Sequence, residues 1–210
     1  MKKCDIIISG VGGQGIVLAS RLIATMALRK GYKISTAETI GMSQRGGSVV
    51  SNLRLDSYRK GSLIPKGQAN VIIGFEPAEA YRYNEYLNKD AKVLLNSNPI
   101  YSSSKTPENE IYSKKEVIKI MELFDKNNTL TSCNFNKMAL EFGNLKTMNI
   151  MMIAIACFNN YLPFSVNELN NTIKEEMPSK IKDINLKAVE FAINNFEKYA
   201  NINSNNVIKI

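Results

Sequence analysis

The stretch that decides the fold is DIIISGVGGQG, over Asp5–Gly15, which passes from an apolar run into a glycine-rich turn. The apolar run predicts a buried strand over Asp5–Ser9. The residues that follow, Gln14–Arg29, carry apolar side chains at helical spacing and predict a helix that is stopped by Gly31. A strand, a tight glycine turn and a helix in this order form the arrangement in which nucleotide phosphates are commonly bound.

Further apolar stretches alternate with helical segments through the first two thirds of the chain. We expect strands over the following segments: Lys33–Thr36, Ser48–Leu55, Ala69–Phe75, Ala91–Asn96 and, at an edge of the sheet, Thr129–Cys133. The continuous apolar runs among them are typical of strands that are buried on both faces. The pattern therefore predicts an α/β fold, with a mostly parallel, Rossmann-like sheet flanked by helices.

The C-terminal third is helical throughout its pattern, and Ser165 and Glu168 have the spacing of a capping box. We expect one α/β domain over residues 1–200, with its helical part over about residues 135–200, and a frayed tail over residues 201–210. The apolar runs are shorter than a signal-peptide core and than the roughly 20 residues of a membrane span. The sequence predicts a cytoplasmic protein without membrane contact.

The composition argues against several kinds of site. The chain has 210 residues, a net charge of +8, no histidine and three cysteines. Histidine is the most common general acid–base and the most common metal ligand. Cys4, Cys133 and Cys157 are too far apart in sequence for a zinc site or a redox dithiol, and the basic residues are dispersed. We therefore expect no metal site and no nucleic-acid partner, and any chemistry done by this chain alone would need carboxylates, Lys, Tyr or Cys.

The glycine-rich turn matches G-x-G-x-x-G at Gly10, Gly12 and Gly15, and three interpretations of it are open. A nicotinamide or flavin site also needs an acidic residue at the end of the second strand. That strand is expected to end at Thr36, and the only acidic candidate, Glu38, lies beyond it. The other interpretations are a tight turn that serves packing or partner contact, and a site for another phosphate-bearing ligand.

A second loop is more specific than the first. ETIGMSQRGGS, over Glu38–Ser48, places Arg45 between Gln44 and the Gly46-Gly47 pair. A guanidinium can bind a carboxylate or a phosphate through two parallel hydrogen bonds, and glycines allow a close approach of the backbone. The alternative is that Arg45 pairs with Glu38 within the same loop.

The two loops at this spacing resemble a known family. GVGGQGIVLASRLIA (residues 10–24) and TAETIGMSQRGGSVVSNLRL (residues 36–55) closely resemble the gamma subunit or domain of 2-oxoacid:ferredoxin oxidoreductases. The nearest type is the small beta subunit of indolepyruvate:ferredoxin oxidoreductases. The likeness continues through LIPKGQANVIIGFEPAEAYRY, AKVLLNSNPI, ALEFGNLKTMN and INLKAVEFA, so it covers nearly the whole chain.

The resemblance implies a small subunit that does not act alone, and on this basis we assign no catalytic residue to this chain. In this family a 2-oxoacid is decarboxylated on thiamine diphosphate, electrons pass through iron–sulfur clusters to ferredoxin, and the acyl group leaves as a coenzyme A thioester. This chain has neither a cysteine cluster nor a recognisable thiamine diphosphate motif, so the resemblance implies that a larger alpha subunit carries thiamine diphosphate and the 4Fe-4S clusters. The rival interpretation is a stand-alone dinucleotide-binding oxidoreductase domain. Homodimerisation of the chain is left open.

The resemblance also implies that both loops form either one edge of the assembly or a surface that faces coenzyme A. Loops that follow neighbouring strands of an α/β sheet can face one crevice. No cofactor is expected to bind firmly to this chain alone. The candidate ligand or interface residues are Gly10, Gly12, Gly13, Gln14, Gly15, Glu38, Gln44, Arg45, Gly46, Gly47 and Glu76.

Overall fold

The computed structural model describes residues 3–41, 46–56, 61–100 and 114–202. In these ranges the strands are β1 (Cys4–Val11), β2 (Ile34–Ile40), β3 (Ser48–Leu55), β4 (Ala69–Gly74), β5 (Leu87–Asn96), β6 (Thr129–Cys133) and β7 (Ala200–Ile202). The α-helices are α1 (Ile16–Arg29), α2 (Pro77–Tyr81), α3 (Lys114–Asn127), α4 (Phe135–Phe142), α5 (Met148–Phe158), α6 (Val166–Glu176) and α7 (Ser179–Tyr199). None of these helices is long and apolar enough to cross a membrane.

One sheet, in the order β2-β3-β1-β4-β5-β6-β7, forms the centre of the fold. The strands β1, β4, β5 and β6 run parallel to one another, whereas β3 is antiparallel to both β1 and β2, and β7 is antiparallel to β6. The predicted α/β class, with a helical C-terminal part, is confirmed. Because β3 is inserted between them, the two strands that α1 connects are not neighbours.

The second strand is longer than the sequence pattern predicts. β2 runs on to Ile40, so Glu38 lies inside it, and the prediction that Glu38 follows the strand in a loop is wrong. The last three residues of β2 are exposed, because a strand at the edge of the sheet need not bury either face there. Because they are exposed, these residues lack the continuous apolar pattern of a buried strand, although they pair in register with β3.

The end of the described chain also differs from its prediction. Asn201 and Ile202, which the sequence pattern places in a frayed tail, belong to β7 and lie beside β6. The prediction that Thr129–Cys133 is an edge strand is therefore wrong. The hydroxyl of Ser97 donates to Asn201 Oδ1 at 2.7 Å and helps to hold β7 in place. A strand of three residues is too short to show a periodicity.

The core has one half on each face of the sheet. Helix α5 is almost entirely buried and packs against α1, α4, α6 and α7 in the larger half. Helices α2 and α3 cover the opposite face. All three cysteines are buried, and burial raises the pKa of the Cys157 thiol to about 12. The thiols therefore act as apolar side chains of the core.

A buried ion pair crosses from β1 to β3 at the amino end of β1. Arg54 Nε and Nη2 donate to the two carboxylate oxygens of Asp5 at 3.2 and 3.1 Å. Both side chains are buried. Arg54 Nη1 also donates to the carbonyl oxygens of Gly61 and Leu63 at 3.3 and 3.1 Å. The pair thereby attaches the connection between β3 and β4 to the sheet.

Loss of Arg54 is expected to destabilise the protein strongly. Arg54→Ala leaves the buried Asp5 carboxylate with only the partly exposed ammonium of Lys3, 3.3 Å from Oδ2, and the free energy of unfolding should fall by about 3 kcal/mol. Arg29→Ala is the matched control, because Arg29 pairs with Glu175 and Glu176 at the surface and should cost less than about 1 kcal/mol. Urea unfolding followed by circular dichroism measures both values. Equal costs for the two variants would contradict the role given to the buried pair.

The capping box of α6 predicts an acid-sensitive contribution to stability. Ser165 N donates to Glu168 Oε2 at 2.7 Å, and Glu168 N donates to Ser165 Oγ at 3.2 Å. Burial raises the pKa of Glu168, but the hydrogen bonds from Ser165 and the ammonium of Lys30 outweigh it and lower the pKa overall. The contribution of the carboxylate is thus complete above its unfolded-state pKa and is lost as the pH falls through its folded-state pKa.

Glu168→Ala should accordingly lower the free energy of unfolding by about 0.5–1 kcal/mol at neutral pH. This loss of stability should shrink towards about pH 3. Urea unfolding of both proteins at the two pH values gives the comparison. A cost that stays constant or grows in acid would show that the carboxylate does not stabilise the start of α6.

Candidate functional site

The two glycine loops meet at the carboxyl edge of the parallel strands. Gly12 N donates to Gly47 O at 2.8 Å, which extends the β1–β3 ladder by one residue beyond the pair of Val11 and Ser48. Gly46 is exposed beside this junction. Gln44 and Arg45 lie outside the described residues, so their part in the site stays a prediction.

The side-chain amide of Gln14 closes the glycine turn. Its Oε1 accepts from Val11 N at 2.7 Å, and its Nε2 donates to Phe75 O at 2.9 Å. Just before this point, Phe75 N donates to Ser9 O at 2.8 Å in the ladder between β1 and the end of β4. The Gln14 amide therefore takes the place of a peptide group and links the two strands beyond their last backbone pair.

Asn96 forms a second bridge from the same carbonyl group. Its Nδ2 donates to Phe75 O at 2.9 Å and to Asn136 Oδ1 at 2.8 Å, while its Oδ1 accepts from Phe135 N at 3.1 Å. Asn96 is fully buried at the end of β5. The amides of Gln14 and Asn96 thus connect the ends of β1, β4 and β5 with the start of α4. Asn96 is not among the predicted site residues, although a polar residue that ends an apolar strand is a usable signal.

The motif glycines serve this internal packing. A Cβ on Gly10 would lie 2.5 Å from Gln14 Oε1 and 2.7 Å from Phe75 Cβ. Gly15 has a φ of +83°, and a Cβ there would lie 2.4 Å from Asn149 Nδ2 on α5. Gly10 and Gly15 therefore make room for Gln14 and for α5. Gly13, with a φ of +103°, faces open space instead.

Glu76 lies directly after Phe75 and is buried. Its Oε2 accepts from Glu79 N at 2.9 Å, and its Oε1 accepts from Ile100 N at 3.4 Å. The carboxylate thus caps α2 and holds the chain that leaves β5. Glu79, which is not among the predicted site residues, accepts from Ser48 Oγ at 2.6 Å and links α2 to the second loop. Its position three residues after the N-cap is the signal for it.

The structure does not bring Glu38 to the glycine turn. Glu38 pairs with Ser51 of β3, and Ser51 pairs with Ile8 of β1. Neighbouring strands are about 4.8 Å apart, so Glu38 lies about 10 Å to the side of β1. In a dinucleotide site the ribose-binding acid ends the strand next to β1. Here β3 occupies that position, which counts against a nicotinamide or flavin site.

Among the residues that the structure describes, the accessible part of the site is therefore mostly backbone. Gly13 and Gly46 are exposed, and Gly15, the N-cap of α1, supplies no side-chain cap. Free amides at a helix start can bind an anion or a carbonyl group of a partner. In the described ranges no group of three or more His, Cys, Asp or Glu could hold a metal ion. A 4Fe-4S cluster needs four thiolates, and the chain has three cysteines, so its residues do not fit that cluster.

The bridge formed by Gln14 predicts a pH-dependent defect. Gln14→Glu keeps an acceptor for Val11 N–H but directs a carboxylate oxygen at Phe75 O, and it should lower the free energy of unfolding by about 1–3 kcal/mol at neutral pH. Protonation of the new carboxyl restores a donor, so this deficit should shrink as the pH falls.

Gln14→Met is the matched control for this bridge, because it has a similar volume and makes neither hydrogen bond, so its deficit should not depend on that carboxyl. Urea unfolding across the acid range measures both variants. Identical pH profiles would contradict the bridging role of the amide.

The family model described as pyruvate ferredoxin/flavodoxin oxidoreductase matches residues 5–194 of this chain. The chain is similar to the indolepyruvate oxidoreductase subunit IorB of Pyrococcus horikoshii, with 35% identity over 202 residues, 96% of this chain and 100% of that protein. It is similar to the IorB subunit of Archaeoglobus fulgidus, with 38% identity over 192 residues, 91% of this chain and 94% of that protein.

Solved structures share the fold. A keto/oxoacid ferredoxin oxidoreductase gamma subunit from Geobacter sulfurreducens matches with a TM-score of 0.63 and 19% identity, over 91% of this chain and 96% of that chain. The pyruvate oxidoreductase subunit PORC from Thermotoga maritima matches with a TM-score of 0.66 and 19% identity, over 95% and 98%. The 2-oxoglutarate:ferredoxin oxidoreductase from Magnetococcus marinus matches with a TM-score of 0.66 and 17% identity, over all of this chain and 33% of that chain.

Proposed function

This chain belongs to the pyruvate ferredoxin/flavodoxin oxidoreductase family, and on that premise we propose that it is the small subunit of a 2-oxoacid:ferredoxin oxidoreductase of the indolepyruvate type. The observation that carries the proposal is the similarity to IorB subunits along nearly the full length of both chains. A protein similar to a subunit from end to end is expected to have the role of a subunit.

The assembled enzyme would convert an aryl-type 2-oxoacid such as indolepyruvate, together with coenzyme A, to an acyl-CoA and carbon dioxide, and would pass the electrons to ferredoxin. Thiamine diphosphate and the 4Fe-4S clusters are proposed to be carried by a larger alpha subunit, as the family resemblance implies. This chain has no recognisable thiamine diphosphate motif, and its three buried cysteines are too few for a 4Fe-4S cluster. The enzyme is proposed to be cytoplasmic, and the isolated chain is proposed to be inactive.

The part played by this chain would be to present the carboxyl edge of its sheet to the larger subunit. Gly13 and Gly46 offer exposed backbone groups at this edge, and Gly12 and Gly47 join the two loops. The Gln44-Arg45 pair is proposed to contact the partner from the same loop as Gly46. Coenzyme A is the one cofactor proposed to reach this surface, at the subunit interface. The polar side chains behind the surface are already engaged, since Glu76 caps α2 and Gln14 joins two strands.

A stand-alone dinucleotide-binding domain is the second candidate, and the G-x-G-x-x-G spacing is the observation that favours it. Two features of the structure weigh against it. The Gln14 side chain fills the inner side of the turn, and β3 separates the two strands between which the ribose would be bound.

Co-purification tests the proposal. The tagged chain is expressed anaerobically with its genomic neighbour and assayed for reduction of a viologen dye that depends on indolepyruvate or phenylpyruvate and on coenzyme A. We expect a stable complex that is active only when both chains are present. A chain that does not bind the product of the neighbouring gene and retains a bound dinucleotide would contradict the proposal and support the second candidate.

Arg45→Ala is expected to weaken either the assembly or the coenzyme A dependence of this activity, by about tenfold or more, since an arginine at a bidentate contact is worth about 1.5–3 kcal/mol. Arg45→Lys tests whether charge alone suffices, and Lys174→Ala, on α6, is the surface control. Affinity for the larger subunit and the KM for coenzyme A separate the two roles. Wild-type values for both in Arg45→Ala would exclude a functional role for this arginine.

A further inference from the structure

The outer side of β2 is a long open edge of the sheet. β2 has seven residues and stands at the end of the strand order, so within the described ranges it pairs on one side only, with β3. The strand at the other end, β7, has three residues. Natural proteins commonly shield a long edge with proline or with charged side chains, especially lysine. The sequence ISTAETI of β2 contains no proline or lysine, and its one charged residue is Glu38.

The ladder to β3 shows which backbone groups of β2 point outward. Asp56 N donates to Lys33 O at 2.8 Å, and Gly41 N donates to Ser48 O at 2.9 Å, in the register of the β2–β3 pairing. Antiparallel strands alternate between hydrogen-bonded and non-hydrogen-bonded pairs, so the odd-numbered residues of β2 bond to β3. The residues whose N–H and C=O groups point away from the sheet are therefore Ile34, Thr36, Glu38 and Ile40.

The sequence of this edge is nearly symmetric about Ala37. A twofold, antiparallel pairing must place outward residues opposite one another. A pairing centred on Thr36 would place the apolar side chain of Ile34 opposite the charged side chain of Glu38. Centred on Glu38, it would put two carboxylates opposite each other, which is destabilising. Centred on Ala37, it pairs Ile34 with Ile40 and Thr36 with Glu38, and it uses the whole strand.

We propose that β2 pairs with β2 of a second copy of this chain, antiparallel about a twofold axis at Ala37, so that the two sheets become one. Ile40, whose side chain is 59% exposed, is covered by Ile34 of the second copy. A hydroxyl faces a carboxylate in the Thr36–Glu38 pairs, and on the other face Ser35 lies opposite Thr39. The proposal rests on β2 alone and does not depend on the enzyme assignment.

Cysteine cross-linking of the full chain tests this register. In Ala37→Cys the new thiol faces its own symmetry mate in a non-hydrogen-bonded pair, with Cα atoms about 4.5 Å apart, a distance that a disulfide spans. Thr39→Cys is the matched control, because the twofold axis places it four residues, about 13 Å, from its mate. The native cysteines are buried and do not interfere.

Under mild oxidation we expect a disulfide-linked dimer from Ala37→Cys and none from Thr39→Cys. Failure of Ala37→Cys to cross-link, or equal cross-linking of both variants, would overturn the proposal. The complex co-purified with the larger subunit should give the same result. Loss of the Ala37→Cys cross-link in that complex would mean that the larger subunit covers this edge, and it too would overturn the proposal.

A pair of charge variants gives a second test. Thr36→Glu faces Glu38 twice by symmetry and should raise the dimer Kd about threefold or more, whereas Thr36→Lys should lower it by a similar factor. The Thr36 side chain is exposed, and circular dichroism of each variant checks that the fold is retained. Sedimentation equilibrium measures the two constants. Shifts in the same direction, or no shift in either variant, would overturn the register.

Discussion

The carbonyl oxygen of Phe75 is the acceptor on which the carboxyl edge of the sheet depends. It lies just beyond β4, and it accepts from the side-chain amides of Gln14 and Asn96. A buried carbonyl group that loses its donors costs about 1–3 kcal/mol. Satisfying this one atom therefore constrains the turn after β1, the end of β5 and the start of α4 together.

The glycine motif follows from that constraint. Gln14 reaches Phe75 only if residue 10 has no side chain, and α1 packs on Asn149 of α5 only if residue 15 has none. The same spacing that elsewhere admits a pyrophosphate here admits a side-chain amide and a neighbouring helix. A glycine motif indicates that another group approaches the backbone closely, but it does not indicate which group.

Among the described residues, this edge presents backbone groups to a partner. The polar side chains of Gln14, Glu76 and Asn96 are engaged within the fold, while backbone groups of Gly13 and Gly46 remain accessible. A surface of this kind can complement a partner without titrating or donating protons. It agrees with a chain whose relatives carry the names of subunits.

The central parts of the fold could be predicted because their signals are local. β1, α1 and β4 are continuous or periodic apolar runs, and the glycine turn between β1 and α1 needs positive φ. The direction of β3 could not be predicted, because an antiparallel neighbour is chosen by pairing between distant segments. The end of β2 and the short β7 bury too little to leave a pattern, so the prediction misplaced Glu38 and residues 201–202.

The position of the site could be predicted from the sequence, but the hydrogen bonds that hold it together could not. The sequence indicates that the turn at Gly12 and the Gly46-Gly47 loop follow strands of one sheet, and they do meet at one edge. It does not indicate that Gln14 and Asn96 share a single acceptor, because this contact joins three segments that are distant in the chain. Hydrogen bonds of that kind are visible only once the strands have been ordered.

Amide hydrogen exchange over the glycine loops is the measurement that tests the central claim most directly. The account predicts that exchange at residues 12–15 and 46–48 slows when the larger subunit binds and does not change when NAD⁺ or FAD is added to the chain alone. Protection by a dinucleotide, together with unchanged exchange in the presence of the larger subunit, would contradict it.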